Sequence, residues 1–409
     1  MSFNALRHML AALMVSLLAA ACGGSGDRAA APTGGITVTP GDGKVTVTWN
    51  ADPNVKYWLF YAPGNSISTT DFITIPGARA IMNVTSPYVV TGLVNGYPYS
   101  FAMNGRTGDG PGGTGTAVFT VSPRPAGVTW NSGGAMGTQT MRSLTYGLNS
   151  ADNAYYYLGV GDGGQMAKSL DGISWTSFAS PTTYQLRATT YTLGKFLTVG
   201  MGGTIYYATD LSNWIGTASN TTANLNAMAS NGVTVVTVGD SGTIRLSTDG
   251  ITWTTVPSPT SKNLYGVSYS GAGKWVAVGA GGTVLTSTDA ATWTQVDAGV
   301  SVDLNAVTVQ ASTIYNIVAV GNGGTVVRST DSGVTWSTYN AGTTNDLTAV
   351  SSYYYQVLAV GKSGTVSTST DATSWTLRSS GTSVDLLAIL HGFSQYVVAG
   401  SGGISINSQ

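Results

Sequence analysis

The stretch from Asn224 to Val256, NLNAMASNGVTVVTVGDSGTIRLSTDGITWTTV, alternates apolar and polar positions in four short runs, LNAMAS, VTVVTVG, TIRLS and ITWTTV. Alternation with period two predicts strands with one buried face. The runs are separated by Asn231-Gly232, Asp240-Ser241-Gly242 and Thr248-Asp249-Gly250, residues that favour tight turns. The same layout recurs along most of the chain. The glycines that close the second run of each copy are Gly161, Gly200, Gly239, Gly279, Gly321, Gly361 and Gly400, spaced 39 to 42 residues apart. Seven units of four strands predict a seven-bladed β-propeller over residues 128–409.

The two ends of this array complement each other. The last copy stops at Gln409 after three runs, and the array opens with an orphan, GVTWNSG, whose Trp130 matches Trp175, Trp214, Trp253, Trp293, Trp336 and Trp375. The N-terminal strand is therefore predicted to complete the seventh unit, which protects edges that would otherwise template aggregation.

Ahead of the array, residues 35–122 hold shorter alternating runs, ITVTPGDGKVTVTWN, VKYWLFYAPG and YVVTGLVNGYPYSFAMNG, which predict a separate β-sandwich. SPRPAG then reads as a stiff hinge, 123–127, and GGSGDRAAAPTGG, 22–34, as a flexible tether. The first 21 residues carry Arg7, an apolar run from Met9 to Ala21 too short to span a bilayer, and small residues before Cys22. These are the marks of an export signal.

Composition narrows the chemistry. Of 409 residues, 42% are hydrophobic and 9% charged, with a formal net charge of -1 and no basic stripe, so nucleic acid is not an expected partner. There is no glutamate, and all 18 acidic residues are aspartates; the histidines are His8 and His391, and the one cysteine is Cys22. Cys/His metal sites and Ser-His-Asp triads need partners that this chain barely has, so no metal, cofactor or catalytic residue is expected.

Four resemblances follow from these residues. The leader is similar to a bacterial lipoprotein signal, which implies lipid modification at Cys22. It also implies an outer-membrane lipoprotein, periplasmic or at the surface; ordinary cleavage after Ala19-Ala20-Ala21 would instead give a secreted protein. Residues 35–122, with Trp49 on the second strand and Leu93 six residues before Tyr99, resemble a fibronectin type III domain. That resemblance implies a tyrosine corner at Tyr99, whose hydroxyl bonds back to the backbone. The segment Ser329-x-Asp331-x-Gly333-x-Thr335-Trp336 resembles the Asp-box of sialidase-type (BNR) repeats, degenerate at Asp171, Asp210, Asp249, Asp289 and Asp371. In that family the box is a structural turn on the hairpin between the third and fourth strands, and the carboxylate is expected to accept backbone N–H groups.

The recurrent L-x-A-V … VAVGxGGT … STDGxTW pattern resembles propellers of the photosystem II stability/assembly factor type, which implies a non-enzymatic platform for other proteins. Arg142 and Arg187 fall where that family has a basic patch, while later units have Asn226, Tyr265 and Asn305 there. Asp303, Asp346 and Asp385 precede the first strands of three consecutive units. They are read either as turn caps, like Asn224, Asn263 and Asn345 nearby, or as lining one mouth of the propeller. The expected function is protein binding at the cell envelope by a lipid-anchored platform, its partner an envelope or extracellular protein. Carbohydrate binding or glycoside hydrolysis through those aspartates is the alternative.

Overall fold

The computed structural model describes residues 28–408 apart from 30, 71, 109–111, 271–272, 311–315, 354–355 and 393–394. Cys22 and the leader lie outside the described residues. The chain divides into two compact units, with the boundary between Ala126 and Gly127.

In the first unit, strands Thr37–Gly41, Lys44–Thr48 and Tyr88–Thr91 form one antiparallel sheet, and Arg79–Val84, Lys56–Pro63, Tyr99–Arg106 and Phe119–Val121 form another. Alternate residues of the two sheets, among them Val45, Val47, Val90, Leu59, Phe101 and Met103, share one buried core. Trp49 packs edge-on against Tyr57 at 5.8 Å. The Tyr99 hydroxyl accepts the Val94 N–H at 3.2 Å. The end of the segment read as a flexible tether and the stiff hinge are both fastened here. Ala29 is buried, because Gly113 has no Cβ to collide with the Ala29 carbonyl, which lies 1.8 Å from where that atom would be. In the hinge, Pro123 accepts from Gly96 N and Arg124 donates to the Gly41 carbonyl.

The second unit consists of seven four-stranded antiparallel sheets, numbered here in chain order: 141–178, 186–216, 225–256, 264–297, 304–340, 347–378, and 386–408 joined by Asn131–Ser132. The first strand of each sheet packs on the first strand of the next, and that of the seventh packs on that of the first. Asn131–Ser132 supplies the seventh sheet's outer strand, pairing Ile406 with Ser132 and Asn407 with Asn131. Hydrophobic clusters straddle neighbouring sheets. Trp293 and Trp275 pack with Val236 and Val238, while Trp175 and Tyr157 of the first sheet pack with Val397 and Ala399 of the seventh.

Fourth strands begin after the tryptophan, later than alternation suggests. In the third sheet the strand is Thr254–Val256, because the N–H groups of Ile251 and Thr252 donate to the Asp249 carboxylate and cannot join the ladder.

Each second strand ends in a tight three-residue turn, and its glycines have separate reasons. The third turn residue, Gly242 for example, has φ +69°, and a Cβ there would lie 1.9 Å from the Thr260 carbonyl oxygen. The middle residue is also left-handed but faces open space at Gly202, and it is serine at Ser241 and Ser363. A left-handed backbone alone tolerates a small polar residue, whereas a close backbone approach does not.

Candidate functional site

The mouth of the ring is built by a backbone irregularity repeated seven times. In every sheet the first strand carries a register shift opposite the glycine that ends the second strand, skipping one residue: Arg142, Arg187, Asn226, Tyr265, Asn305, Thr348 and Leu387. A bulge re-aims the skipped side chain and is common where a strand serves a site. The opposing glycine is required because the chain closes in there; a Cβ on Gly200 would lie 2.0 Å from the Gln185 carbonyl oxygen.

These seven side chains, with Gln185, Asp303, Asn322, Asp346 and Lys362, line one cavity of about 590 Å3. The same seven residues, with small neighbours such as Ala188, Ala227, Gly266 and Ala306, line a second, smaller space of about 220 Å3. The structure thus brings together Arg142, Arg187, Asn226, Tyr265, Asn305, Asp303 and Asp346. Asp385 does not line the cavity.

On one arc the polar groups form a continuous chain. Arg142 pairs with Asp162 through Nε and through Nη2 at 3.0 Å, and Gln185 Nε2 donates to the same carboxylate at 2.7 Å. Arg187 Nε donates to Gln185 Oε1 at 2.6 Å and its Nη1 to Asn226 Oδ1, whose amide in turn donates to Asp240 at 2.8 Å. Burial raises the Asp162 carboxyl, but the hydrogen bond and charge of Arg142 outweigh it, and the group titrates below the usual carboxylate range. Burial lowers the Arg187 guanidinium, opposed by the charge of Asp240.

The aspartates that precede first strands fasten neighbouring sheets. Asp303 Oδ1 accepts from Gly281 N at 2.8 Å, Asp346 Oδ1 from Gly323 N at 3.0 Å, and Asp385 Oδ1 from Ser363 N at 2.9 Å. Asn224 and Asn263 make the same bond to Gly202 N and Ser241 N, each at 2.9 Å. All five reach the turn of the preceding sheet, so the cap is a latch between sheets. Asn345 instead donates to Thr365 Oγ1 within its own sheet. Asp303 and Asp346 combine both readings, latching through one oxygen and lining the mouth as well.

The six box aspartates, Asp171, Asp210, Asp249, Asp289, Asp331 and Asp371, lie on the hairpins between third and fourth strands. Asp331 accepts from Ser329 Oγ, Val334 N, Thr335 N and Thr335 Oγ1. Hydrogen bonds from Thr335, side chain then backbone, hold it at about 2, and those from Thr292 N and Ala291 N hold Asp289 at about 2. Asp210 lacks the serine, and Asn213 donates to it instead through its backbone and its amide.

Asp331→Ala is expected to cost about 1 kcal/mol at neutral pH, the usual worth of a side-chain cap on exposed backbone. The native pKa lies below that of an unfolded aspartate, about 3.9. The contribution is therefore complete above that value and disappears as pH falls through about 2. Urea unfolding of both proteins across this range checks the sign.

Some mouth residues escape a sequence reading. Gln185 stands where five of the six other units have Asn or Asp, while Asn322 and Lys362, with Asp162 and Asp240 that hold the arginines from outside the cavity, occupy the variable place after the first turn glycine. On the second strand of the first sheet, Tyr155 is 53% exposed whereas Tyr157 is buried. Its hydroxyl donates to the Gly392 carbonyl at 2.5 Å, across the junction of the first and seventh sheets, and burial pushes its pKa up to about 12.

A ring of four-stranded antiparallel sheets, each packing its first strand on the next, defines the class as a β-propeller. Solved structures of similar fold include "YCF48 bound to D1 peptide", 16% identical, matched over 69% of this chain and 94% of that one with a TM-score of 0.56. YCF48 from Cyanidioschyzon merolae is 17% identical over 68% of this chain and 98% of that one, with a TM-score of 0.56. The WD40 β-propeller domain of Doa1 is 11% identical over 69% and 97%, also with a TM-score of 0.56. No protein-family profile matches the chain, and no curated protein matches it in sequence.

Proposed function

We propose that this protein is a non-enzymatic binding platform whose seven-bladed propeller takes a segment of a partner protein at its mouth. The observation that carries this reading is the convergence of seven bulge residues on one polar cavity of about 590 Å3. A cavity of this size takes several side chains. One of the fold relatives is a propeller solved with a peptide bound, which supports a protein partner here.

The first unit supports a fibronectin type III reading through its strand order and the Tyr99 hydroxyl contact, and such a domain serves as a spacer. The leader ending at Cys22 supports export and lipid anchoring in the envelope. A glycosidase reading gains little from the mouth carboxylates, since Asp303 and Asp346 each commit an oxygen to a backbone N–H.

The test is affinity capture from an envelope extract with the full chain, run beside Leu387→Trp, which fills the cavity without changing charge. A captured protein lost with Leu387→Trp is the expected result; capture indifferent to it removes the mouth from consideration. In the same strain Cys22→Ser should move the protein from the membrane to the soluble fraction, and unchanged fractionation refutes the anchor.

A further inference from the structure

The mouth carries opposite charges on opposite arcs. Arg142 and Arg187 belong to the first and second sheets. Asp303 bridges the fourth and fifth sheets and Asp346 the fifth and sixth, the part of a seven-membered ring that faces the arginines. The carboxylates that neutralise the arginines, Asp162 and Asp240, do not line the cavity. A ligand there meets guanidinium on one side and carboxylate on the other. Each guanidinium is held by two of its nitrogens, Arg142 through Nε and Nη2 and Arg187 through Nε and Nη1, which fixes its plane and leaves the remaining Nη uncommitted among the described residues.

The acidic arc is not explained by the fold. The latch needs only an oxygen that accepts an N–H, and Asn224 and Asn263 supply it at 2.9 Å on the third and fourth sheets. Asp303, Asp346 and Asp385 make a bond of the same length with a full charge that the latch does not use. Among the described residues Asp303 has no ion-pair partner, and Asp346 meets only Lys362 at 3.4 Å, whose side chain is 54% exposed. An exposed pair of this kind holds its charges weakly and yields to a better partner.

We propose that the mouth selects its partner by two charges at once. The occupant is an extended polypeptide segment carrying an acidic side chain, taken by Arg142 and Arg187, and a basic side chain, taken by Asp303 and Asp346. A segment of one sign gains on one arc and is repelled on the other, so the arrangement acts on specificity more than on raw affinity. This inference rests on the reading of the mouth as a peptide site.

The probe is a phage-displayed library of random linear peptides selected on the full chain at low salt. Enriched peptides are expected to carry both an acidic and a basic residue. Asp303→Asn with Asp346→Asn, which keeps both latches, should weaken an enriched peptide by about tenfold or more and leave thermal unfolding unchanged. In that variant, replacing the peptide's basic residue by glutamine should make no further difference, as a double-mutant cycle requires. Arg187→Gln should do the same for the peptide's acidic residue. Enriched peptides of one sign, or binding indifferent to the paired asparagine variant, overturn the two-charge mouth and leave the platform reading standing. Failure to enrich any peptide counts against both.

Discussion

Gly203→Ala is expected to destabilise the second unit by about 4 kcal/mol, while Gly202→Ala, one residue earlier, costs about 1 kcal/mol. Both glycines are left-handed, with φ +72° and +64°, so the backbone penalty for a Cβ is shared. The surroundings differ. At Gly202 nothing lies within 4 Å of the added atom, and the equivalent positions already hold Ser241 and Ser363. At Gly203 the added atom would lie 2.0 Å from the Thr221 carbonyl oxygen and 2.8 Å from Ser219 Oγ. A carbonyl in a connecting segment cannot turn aside as a side-chain tip can, so the turn or the connection must move. The same approach occurs at 1.9 Å in the turns of Gly164, Gly242, Gly282, Gly324 and Gly364, which makes it a property of the repeat. Urea unfolding followed by tryptophan fluorescence separates the two variants. Equal losses of stability would show that the left-handed backbone, and not the close approach, demands glycine there.

That contrast explains why the propeller is legible in the sequence. Backbone constraints of this kind recur in every sheet and admit almost no substitute, so they print a period of turn glycines that can be read without knowing what surrounds them. The box aspartates are legible for a related reason, since each acts on N–H groups two to four residues away. Asp303 and Asp346 are harder. Their hydrogen-bond partners lie 22 and 23 residues earlier, in another sheet, and local pattern offers a turn cap without saying which turn. The mouth is legible as a set of equivalent positions, the x of L-x-A, because the bulge falls at the same place each time. What fills those positions differs from sheet to sheet, and the chain from Arg142 through Gln185 to Asp240 depends on neighbours that only the closed ring brings together. Tyr157 shows the limit of alternation: Tyr155, Tyr156 and Tyr157 point to two faces of one strand, and only packing against the seventh sheet decides that Tyr157 is buried.

Removing residues 404–409 is expected to abolish the cooperative unfolding transition of the second unit, a larger effect than any single substitution above. The segment holds the strand Ser405–Ser408, buried along its whole length, which lies between Gln395–Gly400 and the N-terminal Asn131–Ser132. Its loss strips Gln395–Gly400, buried at every residue, of one partner and turns a central strand into an exposed apolar edge. It also frees the N-terminal segment, because Gly127 N donates to Ser408 Oγ at 2.7 Å, Gly133 N to the Ser405 carbonyl at 2.9 Å, and Ser405 Oγ to the Gly134 carbonyl at 2.7 Å. In a linear array the end unit contributes one interface, so trimming it costs a local share of the stability. In a ring the seventh sheet has two interfaces, and the cluster joining Tyr157 and Trp175 to Val397 and Ala399 closes the second. The truncated chain should therefore aggregate through the exposed edge or unfold without a sharp midpoint, as edge exposure predicts. A truncated protein that stays monomeric by light scattering and unfolds with the native midpoint would show that the sheets are stable as an open array. Adding the missing segment as a free peptide should restore the transition, since the groove it leaves is lined by the same hydrogen-bond donors and acceptors on both sides.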